Sequence, residues 1–496
     1  MQNNPPVAFY IKTERSFSPV RKYIWLLAVL IGIGGQFMPL LGLLVPFIML
    51  ALMGISLFKG KFWCGNFCPH GSFFDNLLGP ISRHAKIPTF LRSHVIIGAV
   101  LVFFMFNLGR RFIEVYATLG TGELFERLGL VFSTTYLMVL LVGGFLGVVI
   151  NERTWCQFCP MGTIQTFFYK LGKATGLANR SDQKVTVSHP DLCHSCGKCA
   201  RVCPMQLSPY LEFSENYQLD DERCIRCNTC VNNCPAGILQ MAPPQEAKVV
   251  KENVSLEGFE NAQYYQARIK AIEELKSDIR IYTFELLEPD QMPYQPGQFL
   301  LVEVLPEIKM YRAYTISGSN EDHSEVSVTI KRLADGYGTN LIFDNFSEGD
   351  VLNLKGPMGN ELRVDPAGKE LLFIANGIGI TPFVSSVQNF FDQKTYSFEG
   401  KTTLLYGARY EEDLVFDDYL ESMAGDNSNF DYYKVLSRPR TNNHPKGYVT
   451  EVLKNLELSP ETKVYICGTA QMASGATQIL IEKGIKEANI FYESFV

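Results

Sequence analysis

From Tyr23 to Phe58 the chain runs without a single charged side chain. As one helix this run would measure roughly 54 Å, against about 30 Å for the hydrocarbon core of a bilayer. The interruption Gly34-Gly35-Gln36-Phe37-Met38-Pro39 divides it into two helices joined by a tight turn. Two more uncharged runs follow, Ser93–Gly109 and Leu128–Ile150, so the pattern predicts four membrane helices. Beyond Tyr265 the texture changes. Short alternating runs such as IRIYTFEL, QFLLVEV, EVSVTI and DVLNLKG, separated by turn residues, predict a small antiparallel β-barrel. From Glu370 onward, apolar strands (LLFIANG, TTLLYGAR, DYYKVLS, KVYICG, NIFYESF) alternate with helical stretches, which predicts an α/β domain with a parallel sheet.

The domain boundaries follow. Residues 1–175 form the membrane domain, 180–240 an α+β dicluster ferredoxin-like module, and 241–262 a Pro-containing charged linker. Residues 263–366 form the barrel and 367–496 the nucleotide-binding domain. The short loops set an orientation through their basic residues. Lys12, Arg15, Arg21 and Lys22 precede the first predicted helix, and Lys59, Lys61, Arg83, Lys86 and Arg92 lie between the second and third. The opposite side carries only Arg110, Arg111 and Arg127, offset by Glu114, Glu123 and Glu126. A multi-pass protein of the cell inner membrane is expected, in contact with lipid, with both termini and every domain after residue 150 in the cytoplasm. No cleaved signal peptide is expected. A net charge of −6 argues against nucleic acid as a partner.

Twelve of the thirteen cysteines fall in four short groups, a spacing that favours metal over disulfides in a reducing compartment. Two groups, CHSCGKCARVCP and CIRCNTCVNNCP, each read C-x2-C-x2-C-x3-C-P, the run that binds a pair of [4Fe–4S] clusters. In each run the first three cysteines are expected on one tight loop, and the fourth on a departing helix that reaches the other cluster. Cluster one would then use Cys193, Cys196, Cys199 and Cys234, and cluster two Cys224, Cys227, Cys230 and Cys203.

The other two groups form an internal repeat. KFWCGNFCPHGSFFDNLLG and RTWCQFCPMGTIQTFFYKLG share an aromatic residue, C-x2/3-C-P-x-G and an amphipathic segment, each just after an even-numbered predicted membrane helix. Cys64, Cys68, Cys156 and Cys159 would satisfy a third iron–sulfur centre. A tetrahedral zinc site and a pair of purely structural turns are the other readings. Residues 23 to about 240 resemble the polytopic iron–sulfur proteins that serve nitrate- and nitrous-oxide-reductase systems, and a related family involved in cytochrome oxidase assembly. The resemblance implies electron transfer at a membrane.

Four signals converge in the last 230 residues. Arg312-Ala313-Tyr314-Thr315 on a barrel strand offers a ring to cover a flavin, a hydroxyl for its N5 region and a cation for a phosphate. Gly336-Tyr337-Gly338-Thr339 opens a helix whose N–H groups suit a pyrophosphate. Asn376-Gly377-Ile378-Gly379-Ile380-Thr381-Pro382 is a glycine-rich strand-to-helix turn, and Tyr465-Ile466-Cys467-Gly468-Thr469 ends a strand at the carboxyl edge of the sheet. In this order, and with Gly356-Pro357-Met358-Gly359, they resemble the ferredoxin–NADP reductase superfamily over residues 263–496. That resemblance implies that Arg312, Tyr314 and Thr315 bind flavin, FAD in preference to FMN, and that Gly336 and Thr339 hold its phosphates. It places Gly377, Gly379 and Pro382 in the nucleotide turn, and Cys467, Gly468 and the acidic Glu493 at the hydride-transfer site. Asn376 departs from the family's usual glycine.

Together the modules imply a membrane NAD(P)H oxidoreductase, with electrons passing from nicotinamide through flavin and the 4Fe–4S clusters to a quinone or a partner redox protein. A copper or iron reductase serving oxidase assembly is one alternative. A membrane-anchored NAD(P)H:ferredoxin reductase is another. Arg438 and Arg440 fall near where a 2′-phosphate would lie, but no serine–arginine–tyrosine clamp accompanies them, which favours NADH.

Overall fold

The structure, a computed structural model, describes residues 19–117, 119–120, 123–252, 254–365, 369–393, 398–441 and 446–495. Lys12 and Arg15 of the basic tail lie outside them. The chain divides into two compact units, Met1–Cys193 with Gly197–Val254, and His194–Cys196 with Ser255–Val496.

In the first unit, three helices among the described residues are long and apolar enough to cross a membrane: Pro39–Lys59, His94–Tyr116 and Leu124–Val149. Four were expected. The first of the four is only the eight-residue helix Trp25–Gly32, roughly 12 Å long at 1.5 Å per residue. Its limit is local. Gly34–Gln36 forms a 3-10 turn, and Pro39, which has no N–H to give a preceding turn, opens the next helix instead.

The ferredoxin module of the same unit is clasped by two antiparallel strands, β1 (Lys184–Val187) and β2 (Leu239–Ala242), whose register pairs Val185 with Met241. Both cysteine runs turn on left-handed residues at matching places, Ser195 and Gly197 in the first and Arg226 and Asn228 in the second. The departing helices differ from expectation. One-turn helices Lys198–Arg201 and Thr229–Asn232 carry the third cysteine of each run, and Cys203 and Cys234 follow them outside helix. Pro204 and Pro235 come next, and proline disfavours helical backbone in the residue before it. The segment read as a linker holds the helix Pro244–Glu252, with Ala247 buried.

In the second unit six strands close an antiparallel barrel, in the order β3 (Gln263–Lys276), β4 (Ile279–Glu288), β7 (Glu325–Lys331), β6 (Met310–Ser319), β5 (Phe299–Leu305) and β8 (Val351–Met358). Tyr265, Ala267 and Ile269 alternate with exposed neighbours along β3, so one face packs inward and the other meets water. Five parallel strands follow, in the order β11 (Phe430–Leu436), β10 (Lys401–Ala408), β9 (Glu370–Asn376), β12 (Lys463–Thr469) and β13 (Ile490–Phe495). The central strand β9 is buried without alternation from Leu371 to Ala375. A strand covered on both faces needs such a continuous run.

Candidate functional site

The two Cys-Pro-x-Gly motifs have a common construction. Cys68 and Cys159 are the N-cap residues of helices Pro69–Phe73 and Pro160–Ala174, and the proline occupies the first helical position, where a missing N–H costs nothing. Cys68 Sγ accepts the Gly71 N–H at 3.3 Å, Cys64 Sγ accepts from Gln165 Nε2 at 3.0 Å, and Cys156 Sγ from Arg153 Nη1 at 3.4 Å. Burial raises the Cys64 thiol, and it pushes Cys159 up to about 12. A metal bound there would have to displace the proton of each thiol. Together with His70 and Trp155, the four cysteines line a cavity of about 120 Å³. Four thiols, three of them already receiving N–H donors, are a donor set that fits an iron–sulfur cluster. Among the described residues, no group of three or more His, Cys, Asp or Glu side chains is gathered to hold a single metal ion.

Behind these thiols sits a charge cluster that sequence reasoning missed. Asp75 accepts from Arg153 Nε at 2.8 Å and pairs with Arg21, whose Nη1 also donates to the Cys64 carbonyl at 3.1 Å. The side chains of all three are at most 3% exposed. A buried carboxylate shared by two guanidiniums satisfies charges that would be costly alone, and leaves one net positive charge beside the thiols.

Seven of the eight ferredoxin cysteines lie in the same unit, and Cys196 falls in the second. Cys203, from the first run, stands close enough to Cys227 and Cys224 for their charges to raise its thiol, pushed by burial to about 12. Cys64 and Cys156 pack against one apolar cluster with Cys199, Cys203, Cys224, Cys227, Cys230 and Cys234. The contact between the motifs is tight at Gly65. A Cβ there would stand 1.9 Å from the Ile225 carbonyl oxygen and 3.2 Å from Cys227 N. Asn66 Nδ2 donates to the Arg226 carbonyl at 3.3 Å, and Arg226 Nε donates to Asp182 at 2.7 Å. The loop of the second run is thus seated against the chain between Cys64 and Cys68.

In the second unit, Arg312 Nη1 donates to the carbonyls of Tyr311 and Cys196 at 2.8 and 2.7 Å. A Cβ at Gly338 would come within 2.5 Å of Arg312 Nε, so this glycine lets the guanidinium lie against the helix Tyr337–Asn345. Gly336 is the N-cap of that helix. Thr339 Oγ1 donates to the Gly336 carbonyl and accepts the Leu333 N–H, both at 3.2 Å. Arg312 and the helix start therefore come together as a phosphate site would require. Tyr314 is part-buried, which raises its phenol, and Thr315 pairs with Phe299 across β5 and β6.

The nucleotide turn follows β9. Gly377 takes a φ of 55°, and a Cβ at Gly379 would stand 2.4 Å from the Cys467 carbonyl oxygen. Pro382 is buried in the first turn of the helix Thr381–Val387. Asn376, where the family has glycine, is a clamp. Its Oδ1 accepts the Thr469 N–H and its Nδ2 donates to Thr469 Oγ1, both at 3.0 Å. Gly468 is needed for this, since a Cβ there would lie 2.1 Å from Asn376 Oδ1. The amide thus ties the nucleotide turn to the Cys467-Gly468 strand end. Only a residue with both a donor and an acceptor could do so.

Cys467 is fully buried and in register with Glu493 of β13. Burial, with Glu493 nearby, holds its thiol well above the ordinary value, and burial also raises Glu493. Cys467 therefore stays a neutral thiol, closed off from solvent. Cys467→Ala is expected to slow flavin reduction by NAD(P)H about tenfold, since small displacements from a reactive geometry are costly, with flavin still bound. Stopped-flow absorbance checks both, and unaltered reduction would remove Cys467 from the hydride site.

Comparison with known proteins bears on both units. The family described as an oxidoreductase FAD-binding domain matches residues 266–361, and an oxidoreductase NAD-binding domain matches 373–478. A 4Fe-4S dicluster domain matches 192–239, and a 4Fe-4S binding domain matches 41–88 and 134–177. The toluate 1,2-dioxygenase electron transfer component of Pseudomonas putida is 30% identical over 232 residues, 47% of this chain and 67% of that protein. The glycine betaine monooxygenase reductase subunit of Pseudomonas aeruginosa is 29% identical over 248 residues, 49% and 67% of the two chains. Ferredoxin–NADP reductase B of Sorangium cellulosum is 27% identical over 244 residues, covering 47% of this chain and 98% of that one. The FAD- and NAD-binding matches fall on the barrel and the parallel sheet, and this chain, an NAD(P)H oxidoreductase with FAD-binding and 4Fe-4S domains, belongs to the ferredoxin reductase family.

Proposed function

We propose that this protein is a membrane-bound NAD(P)H oxidoreductase that delivers electrons to a membrane acceptor, a quinone or a partner redox protein. A bound flavin would supply the conversion between two-electron hydride transfer and one-electron transfer to the clusters. The chain's own residues set the geometry of this relay. Gly379, Gly468 and Asn376 bring the nucleotide turn to the Cys467 strand end, and Arg312 with Gly338 and Thr339 offers the flavin phosphates a cationic helix start. The cysteine runs bind the two clusters in the sets expected from their spacing. Cys64, Cys68, Cys156 and Cys159 bind a third.

One observation carries the reading: the second ferredoxin run is seated on Gly65, between two cysteines of the membrane motif. A mere anchor has no use for so close an approach of the two cysteine sets. Three apolar helices support the membrane placement, with Val95, Val102, Phe103, Phe106 and Ile113 of His94–Tyr116 all more than 60% exposed.

The test is an acceptor panel on the detergent-solubilised chain reduced by NADH. Fast turnover with a quinone or with isolated membranes supports the reading. Cupric or ferric ion as the only fast acceptor supports a metal reductase. Soluble ferredoxin as the only fast acceptor, undiminished when residues 1–175 are removed, supports a membrane-anchored ferredoxin reductase. Either of these outcomes overturns the proposal.

A further inference from the structure

The two ferredoxin runs share one spacing, which leaves open which of them takes electrons from the flavin. Their surroundings answer it. In the second unit, His194–Cys196 lies against the start of β6, the strand that carries Arg312, Tyr314 and Thr315. The Tyr311 N–H donates to the Ser195 carbonyl at 3.1 Å, and Arg312 Nη1 donates to the Cys196 carbonyl at 2.7 Å. The His194 ring meets Phe299 edge-on, with centroids 5.2 Å apart, and Phe299 is the register partner of Thr315. Each residue of this segment is thus tied to the flavin motif or to a residue beside it. Arg312 has two contacts at once, since its side chain also lies against Gly338, in the helix start proposed for the flavin phosphates.

The second run is placed differently. In the first unit, the backbone at Ile225 and Cys227 closes on Gly65, between Cys64 and Cys68. Cys203, proposed as the fourth ligand of cluster two, leads into Met205 and Gln206, and these dock on segments of the membrane domain. Gln206 Oε1 accepts from the Ile87 N–H at 2.9 Å and from Arg92 Nη2 at 3.1 Å, while its Nε2 donates to the Ala85 carbonyl at 2.9 Å. Gln157, between Cys156 and Cys159, donates to the Met205 carbonyl at 3.5 Å. The apolar cluster that holds Cys64 and Cys156 takes in all four cysteines proposed for cluster two, but only Cys199 and Cys234 from cluster one.

The geometry points to a fixed order within the relay: the first run, through Cys196, is the entry for electrons from the flavin, and the second run, through Cys227, is the exit to the membrane motif. Electron transfer slows steeply with distance, so the run held on the flavin strand receives and the run held on the membrane motif delivers. The balance is complete. Two electrons arrive as one hydride from NADH, with one proton from water, and leave the flavin singly as its two protons return to solvent. Each passes through the first run and then the second to the quinone or partner redox protein, and a quinone that gains both also takes up two protons. This rests on the relay of the proposed function and adds its order.

The test uses the full chain with FAD and clusters bound, and reads the clusters by rapid-freeze electron paramagnetic resonance. Mixing is done with NADH and, after dithionite reduction, with NAD+, so that one direction is downhill whatever the potentials. Cys227→Ser, which keeps cluster one, is expected to exchange electrons with the nicotinamide as fast as the unaltered protein does. Cys199→Ser, which keeps cluster two, is expected to lose that exchange, although dithionite still reduces the cluster that remains. Gly65→Ala leaves both ligand sets whole and forces a Cβ onto the Ile225 carbonyl. Both of its clusters should exchange at the unaltered rate, while electron delivery to isolated membranes is lost. If a cysteine substitution removes both clusters, Gly65→Ala decides; if Gly65→Ala does not fold, the cysteine variants decide. Exchange lost in Cys227→Ser or kept in Cys199→Ser overturns the order, as does membrane delivery that survives Gly65→Ala. Exchange absent from the unaltered protein, with its flavin still reduced by NADH, would mean that the relay itself has failed.

Discussion

Replacing Cys199 or Cys227 by serine is expected to leave flavin reduction by NADH intact while turnover with a membrane acceptor falls to background. Cys199 is a ligand proposed for cluster one, and Cys227 for cluster two. Serine removes a thiolate from each set, and a cubane that needs four does not persist with three and a weak alkoxide. Hydride transfer needs the barrel, the glycine turn and the Cys467 strand end, all in the second unit, which neither substitution touches. A one-electron path cannot skip a missing carrier, so both variants fail alike. Dyes that take electrons from the flavin directly remain reduced at the unaltered rate, which separates a broken relay from a misfolded chain. Membrane turnover that survives either substitution would mean that the flavin reaches the acceptor alone, and the series arrangement would be wrong.

The sequence was legible where its signals were local. The change from period-two alternation in β3 to the continuous apolar run of β9 separates barrel from parallel sheet, because one strand type is covered on one face and the other on both. Cysteine spacing named the ferredoxin module because a cubane fixes its ligands within a few residues of each other. What was not legible joins residues far apart. Asp75 meets Arg21 and Arg153 across 54 and 78 positions, and Asn376 reaches Thr469 across 93. No periodicity marks such partners. Asn376 stood out only as a departure from glycine, and its clamp depends on the small Gly468 opposite. The shortened first helix was missed for a different reason. Hydropathy alone continues from Tyr23 to Phe58, and only the backbone shows that the glycine pair and Pro39 end the helix after two turns.

The charge cluster behind Cys64 and Cys156 makes the remaining prediction sharp. The double substitution Cys64→Ser and Cys156→Ser is expected to remove about four of roughly twelve irons, leaving the eight of the ferredoxin module. One thiol comes from each repeat, so neither half of the motif retains its pair. The substitution is nearly isosteric and spares most of the Arg21–Asp75–Arg153 network that holds the two segments together: Arg21 donates to the Cys64 carbonyl, which serine retains, and the single Arg153 contact to Cys156 Sγ passes to a hydroxyl that can also accept it. The fold of the first unit should therefore survive, and the electron paramagnetic signals of the two ferredoxin clusters should be unchanged. Turnover with the membrane acceptor should stop, while reduction of a soluble dye continues. The outcomes divide cleanly. Loss of four irons with loss of membrane turnover places a cluster at the end of the relay. Loss of about one zinc, with iron unchanged, would give the site to a structural ion. Metal content that does not move would return both Cys-Pro-x-Gly motifs to helix caps, and the relay would end at the second ferredoxin cluster.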